Sequence, residues 1–104
     1  MMSKNKAKLK LYKIKLTETD IKRMLKDYLD IKGWFNFHLM AGMGSYKGAP
    51  DMIAIKDGRV LFIEAKRQNG KQSEYQKDFQ KVIELSGGEY VLAKSIDDLI
   101  VKGV

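Results

Sequence analysis

At 104 residues the chain can build one domain around one modest core, with little room for a separate regulatory module. An apolar fraction of 44% excludes wholesale disorder. The absence of cysteine excludes a disulfide framework and thiolate metal sites, and fits a reducing interior. No apolar run approaches ~18 residues, so no membrane span is expected, and the basic N-terminus has no apolar signal-peptide core behind it.

The net charge is +7, and it is unevenly placed. Lys4, Lys6, Lys8, Lys10, Lys13 and Lys15 stand in a stretch without acids, which leaves 14 Lys and Arg against 13 Asp and Glu in the rest. Residues 1–16 therefore read as a basic arm and residues 17–104 as a single near-neutral domain. Such an arm suits a polyanion such as nucleic acid, because neutralising phosphates releases counterions. A solubilising tail is the alternative.

In chain order, Leu9, Leu11, Ile14 and Leu16 alternate imperfectly with lysines, as a short edge strand or simply an arm would. Thr17-Glu18-Thr19-Asp20 is a helix start. Ile21, Met24, Leu25, Tyr28 and Leu29 follow at helical spacing, and Gly33 closes the run. Residues 34–40 read as a strand, with Trp34 a core residue, and residues 41–49 as a glycine-rich mobile loop. Residues 51–56 and 59–66 read as strands of a hairpin turned at Asp57-Gly58. Ser73 begins a second helix with Tyr75, Phe79, Val82 and Ile83 as its stripe, and Gly87-Gly88 ends it. Residues 90–93 read as a strand and residues 96–101 as a short helix. The order is α-β-β-β-α-β-α.

A two-residue turn sets Lys56 opposite Arg59 and, counting outward, Ile55 opposite Val60, Ile53 opposite Phe62 and Asp51 opposite Glu64. Alternation puts Lys66 on the face of Glu64. Met52, Ala54, Leu61, Ile63 and Ala65 take the other face. Both faces are mainly apolar, which implies central strands covered on two sides. Two carboxylates at the rim of an apolar face need a cation or a proton. A hard ion such as Mg2+ takes carboxylate oxygens, acidifies a bound water and stabilises charge on a phosphodiester, and a neighbouring lysine can orient that water. For an arbitrary hairpin, an ion pair from Lys66 to Glu64 or Asp51 is the commoner reading, and a one-residue slip would separate the groups.

Pro50-Asp51 followed by Glu64-Ala65-Lys66 resembles the PD-(D/E)XK nuclease superfamily and, more narrowly, the virus-type replication-repair nuclease (VRR-Nuc) family. The ordered series carries the resemblance: Glu18 on the first helix, Gly48-Ala49-Pro50-Asp51, Phe62-Ile63-Glu64-Ala65-Lys66-Arg67, Gly70-Lys71, Ser73-Glu74-Tyr75-Gln76, Gly87-Gly88 and Ala93-Lys94-Ser95-Ile96-Asp97-Asp98-Leu99. It spans about residues 17–101. Ala49 and Ala65 depart from the branched apolar residue and the valine that are common there.

The resemblance implies a three-layer, restriction-endonuclease-like α/β fold, with a small mixed sheet flanked by helices. It implies a metal-dependent deoxyribonuclease using Mg2+, with Mn2+ able to substitute. Asp51, Glu64 and the backbone carbonyl of Ala65 would bind the metal, and Lys66 would assist the attacking water. Glu18 maps to the family's helix-borne acid, and its spacing to Ile21 and Leu25 sets it at the inner face of its helix. The helix dipole alone would also favour an acid there. Gln76 maps to the family's helix glutamine near the active site, although Ser73-x-x-Gln76 is a capping box in its own right.

Tyr46, Lys47, Arg67, Lys71 and His38 are the candidate DNA contacts. His38 serves equally well as a partly buried strand histidine. Stand-alone nucleases of this size resemble archaeal-type Holliday junction resolvases, which are homodimers. A homodimer acting on branched or junction DNA, in the cytoplasm of a bacterium or a phage-infected cell, is therefore the expectation. The rivals are a nuclease-fold module that binds DNA without cutting, and a small interaction protein whose Glu64–Lys66 contact is a surface pair.

Overall fold

The computed structural model describes residues 15–40 and 46–104. Leu9, Leu11, Ile14 and the arm lysines before Lys15, and Gly42, Gly44 and Ser45 of the glycine loop, lie outside the described residues.

The first helix, α1 (Glu18–Ile31), starts where its sequence says it should. Thr17 caps it, accepting from the N–H of Asp20, whose carboxylate accepts the N–H of Thr17 in return. Gly33, at φ +82°, makes the left-handed exit that a side chain would resist. Ile21, Leu25 and Leu29 sit at helical spacing and are buried. Each contributes about 1.5–3 kcal/mol from burial.

Four strands follow: β1 (Phe35–His38), β2 (Met52–Lys56), β3 (Arg59–Ala65) and, after α2 (Glu74–Leu85), β4 (Glu89–Ala93). The chain ends in α3 (Ile96–Val101). The sheet order is β1-β2-β3-β4, antiparallel across the first two pairs and parallel between β3 and β4. This is the expected mixed sheet and element order. The hairpin register is the counted one, Lys56 against Arg59 through Met52 against Ile63. Asp57 and Gly58 both have positive φ (51° and 80°), the pattern of a type I′ turn, whose twist suits the hairpin. The parallel pair needs a crossover, which α2 supplies. Arg59 and Glu89 fasten the start of that pair through two hydrogen bonds of 2.8 and 2.9 Å.

One face of the sheet forms the core. Met52, Ala54, Leu61, Ile63, Ala65, Val91 and Ala93 pack with the α1 stripe, Trp34 and Leu99 of α3. The opposite face is covered as well, but unevenly. Ile53, Ile55 and Phe62 are only half-buried, and Phe35, Phe37 and Val60 are exposed. The reason lies in α2, none of whose residues is buried. Its expected stripe is only partly used: Phe79 and Ile83 are half-buried, while Tyr75 and Val82 are exposed. Phe79 meets Phe62 at a ring-centroid distance of 6.2 Å, and beside them Tyr90 is buried on β4. The helix therefore shields the β3–β4 end and leaves the β1–β2 end open. The first strand is also shorter than residues 34–40, because Trp34 turns into the core instead of pairing in the sheet.

Candidate active site

Glu64 is 2% exposed, the one charged residue that is buried among the described residues. It lies near the end of β3, and its side chain emerges beneath the first turn of α2. Gln76 Nε2 donates to Glu64 Oε2 at 2.9 Å. Gln76 is itself fixed by the α2 capping box: Ser73 N–H donates to Gln76 Oε1 at 2.9 Å, and Ser73 Oγ accepts the N–H of Gln76 at 3.2 Å. One glutamine therefore both caps α2 and contacts Glu64.

Asp51 stands one residue before β2. Its Oδ2 accepts the N–H of Ala65 at 2.7 Å, which ties it to β3 beside Glu64. Lys66 Nζ lies 3.7 Å from Glu64 Oε2 and 3.6 Å from Glu18 Oε1. Glu18 thus reaches the group through Lys66. Among the described residues, no three His, Cys, Asp or Glu side chains are gathered closely enough to hold a metal ion by themselves.

Burial, and after it the neighbouring Asp51 carboxylate, push Glu64 up to about 8, with Lys66 acting in the opposite direction. Glu64 Oε1 is buried without a hydrogen-bond partner. A buried carboxylate oxygen in that state is costly unless a proton or a cation meets it.

The loop before β2 is held against α2. Gly48 has φ +83°, and a Cβ there would overlap the carbonyl of Tyr75. Lys47 Nζ lies 4.2 Å from the ring centre of Tyr75, and Tyr46 meets Phe79 edge-on at 5.5 Å. Between this loop and α2 a cavity of about 500 Å³ opens beside Asp51, lined by Met40, Tyr46, Lys47, Pro50 and Gln76 among others. Tyr46 and Lys47 therefore share this cavity with Asp51. His38 pairs with Met52, so it shares the core-facing side of the sheet and is exposed at its margin, away from the face of Glu64. Arg67 and Lys71 are exposed on the connection after β3.

The sequence reading passed over Lys22. Its Nζ lies 3.2 Å from Asp51 Oδ1. The signal was available, since Lys22 follows Glu18 by one helical turn and shares its face. A lysine on a helix with several others gives no other sign.

An α/β fold of this order, with an acid before one strand and Glu-x-Lys on its hairpin partner, is that of a PD-(D/E)XK-type nuclease. The chain belongs to the archaeal Holliday junction resolvase (Hjc) family, whose pattern matches residues 13–95. A solved structure described as a VRR_NUC domain superposes with a TM-score of 0.71 at 22% identity, covering 82% of this chain and 96% of that one. No curated protein matches the sequence.

Proposed function

We propose that this nuclease is a divalent-metal-dependent endonuclease that hydrolyses phosphodiesters of branched DNA, in the manner of a junction resolvase, and acts as a homodimer inside the cell. The observation that carries the reading is the cluster around Glu64: a buried carboxylate with an unpartnered oxygen, a second carboxylate beside it, and a lysine within 4 Å. That donor set fits a hard cation such as Mg2+, with Mn2+ as a substitute. Asp51, Glu64 and the Ala65 carbonyl would hold the ion, with Glu18 at its margin. When bound, the ion supplies an acidified water and positive charge against the phosphate.

The protein groups have separable tasks. Lys66, anchored between Glu64 and Glu18, orients the attacking water and offsets charge on the phosphate oxygens. Gln76 fixes Glu64 Oε2 and leaves Oε1 without a hydrogen bond of its own. Water attacks phosphorus, the bond to the leaving oxygen breaks, and that oxygen takes a proton. Tyr46 and Lys47 at the cavity, Arg67 and Lys71 after β3, and the arm of residues 1–16 meet the DNA, with His38 a peripheral contact. Phe35, Phe37 and Val60 present an apolar surface suited to a second copy, and a two-fold pair would set two sites against two strands.

The test is incubation of four-way-junction and supercoiled DNA with Mg2+ or Mn2+. Wild type should cut the junction, EDTA should stop it, and Asp51→Asn and Lys66→Ala should lower the rate by at least about 100-fold. Cleavage that both variants retain would overturn the site. Tight junction binding without cleavage would favour the binding module. Sedimentation of wild type and Phe35→Glu tests the dimer: a monomeric wild type overturns it.

A further inference from the structure

The four carboxylate oxygens of Asp51 and Glu64 are unequally engaged. Asp51 Oδ2 is tied to the Ala65 N–H, and Glu64 Oε2 to Gln76. Glu64 Oε1 has no hydrogen-bond partner. Asp51 Oδ1 is met by the ammonium of Lys22 at 3.2 Å. The two oxygens that no hydrogen bond ties down are those on which a metal would draw, and a lysine from α1 already stands at one of them. The Lys22 side chain is 35% exposed and that of Asp51 19%, so the pair is only partly screened, but the ammonium keeps a path to solvent along which it can leave. A divalent ion at the same oxygen would repel the ammonium while binding the carboxylate more strongly.

We propose that Lys22 is a resident counter-ion and positioning residue: its ammonium holds Asp51 in place in the metal-free protein and yields Oδ1 to the divalent ion on loading. This rests on the reading of Asp51 and Glu64 as metal ligands. Glu18 and Lys22, one turn apart on α1, then serve the two halves of the site, Glu18 steadying Lys66 and Lys22 steadying Asp51. Loading is an exchange of one cation for another. The Asp51 carboxylate is never left without a positive neighbour, and the affinity for metal is set below what it would be without the competing ammonium.

The experiment is calorimetric titration of the full chain with Mn2+, without DNA. Lys22→Met should bind Mn2+ roughly three- to tenfold more tightly than wild type, the size expected from removing a partly exposed competing charge. Lys22→Arg should restore wild-type affinity, and Lys81→Met, an exposed lysine on α2, should leave it unchanged. In EDTA, Lys22→Met should melt below wild type, and saturating Mn2+ should narrow the gap. In the wild type, the Lys22 side-chain ε-methylene resonance should shift with Mg2+ at the midpoint of metal binding.

Unchanged or weaker Mn2+ binding by Lys22→Met, or equal tightening by Lys81→Met, overturns the proposal. A Lys22 resonance that ignores Mg2+ overturns it without any variant. Asp51→Asn separates the two levels. If it abolishes Mn2+ binding while Lys22→Met changes nothing, only the role of Lys22 is lost. If it leaves binding intact, the metal-ligand reading falls, and the exchange with it.

Discussion

Gln76 donates from Nε2 to Glu64 Oε2 while its Oε1 accepts the N–H of Ser73, both at 2.9 Å. One side chain therefore closes the N-terminus of α2 and fixes the buried carboxylate of β3. A helix cap is worth about 1 kcal/mol, and a buried acceptor left without its donor costs about 1–3 kcal/mol.

The two roles of Gln76 can be separated. Gln76→Ala should lower the melting temperature by several degrees and slow cleavage at least about tenfold, since it removes both bonds. Gln76→Glu keeps an acceptor for Ser73 but sets a carboxylate against Glu64. It should retain helix content by circular dichroism while losing cleavage as fully as Gln76→Ala. A variant Glu that cuts at the wild-type rate would mean that the contact with Glu64 is incidental.

Stability should depend on pH through Glu64. The folded protein holds its proton up to about 8, against an ordinary 4.5. In the unfolded chain the proton leaves near 4.5. Between these values the folded state binds the extra proton, so stability falls as pH rises. The contribution is complete below 4.5 and gone above about 8. Melting of the metal-free protein in EDTA should show this decline, and Glu64→Gln should flatten it. Mn2+ competes with the same proton, so its affinity should rise across the same window.

Gly48 should tolerate no side chain. Gly48→Ala places a Cβ on a positive-φ residue and against the Tyr75 carbonyl. The expected cost is more than about 1 kcal/mol. The loop that carries Tyr46 and Lys47 should also lift from α2, which weakens junction binding in Ca2+. Thermal melting and a gel-shift titration measure the two effects. Equal melting and equal binding would show that the loop is not held there.

Much of the site was legible because the hairpin is self-indexing. Asp57-Gly58 fixes the turn, the turn fixes the register, and the register brings Asp51 to Glu64. Gln76 was legible twice, as a cap and as a family residue. The uneven cover of the sheet was not, because Ile53, Ile55 and Phe62 are as apolar as strands buried on both sides. Only the placement of α2 distinguishes the two cases. The shallow seat of α2 was hidden for the same reason, since Tyr75 and Val82 carry helical spacing but face outward. Lys22 left one faint sign, its shared helix face with Glu18, which its type masked: a lysine on a helix face is usually solvated, and the fold is what brings Asp51 to it.

The mixed sheet gives β3 a near neighbour on one side and a distant one on the other. The β2–β3 hairpin closes through two residues, whereas β4 arrives only after the whole of α2. Hairpins form in microseconds, and non-local pairing comes later because the closure entropy must be met first. Asp51 and Glu64 can therefore meet while Glu64 is still hydrated, and the water is stripped away only when α2 and Gln76 settle. We expect that burial to be completed late in folding, since it waits on the long crossover through α2. Glu64→Gln should slow unfolding several-fold and leave the refolding rate nearly unchanged in stopped-flow measurements, because an interaction formed late acts on the unfolding limb. On that order of events the buried acid would shorten the lifetime of the folded enzyme without delaying its birth.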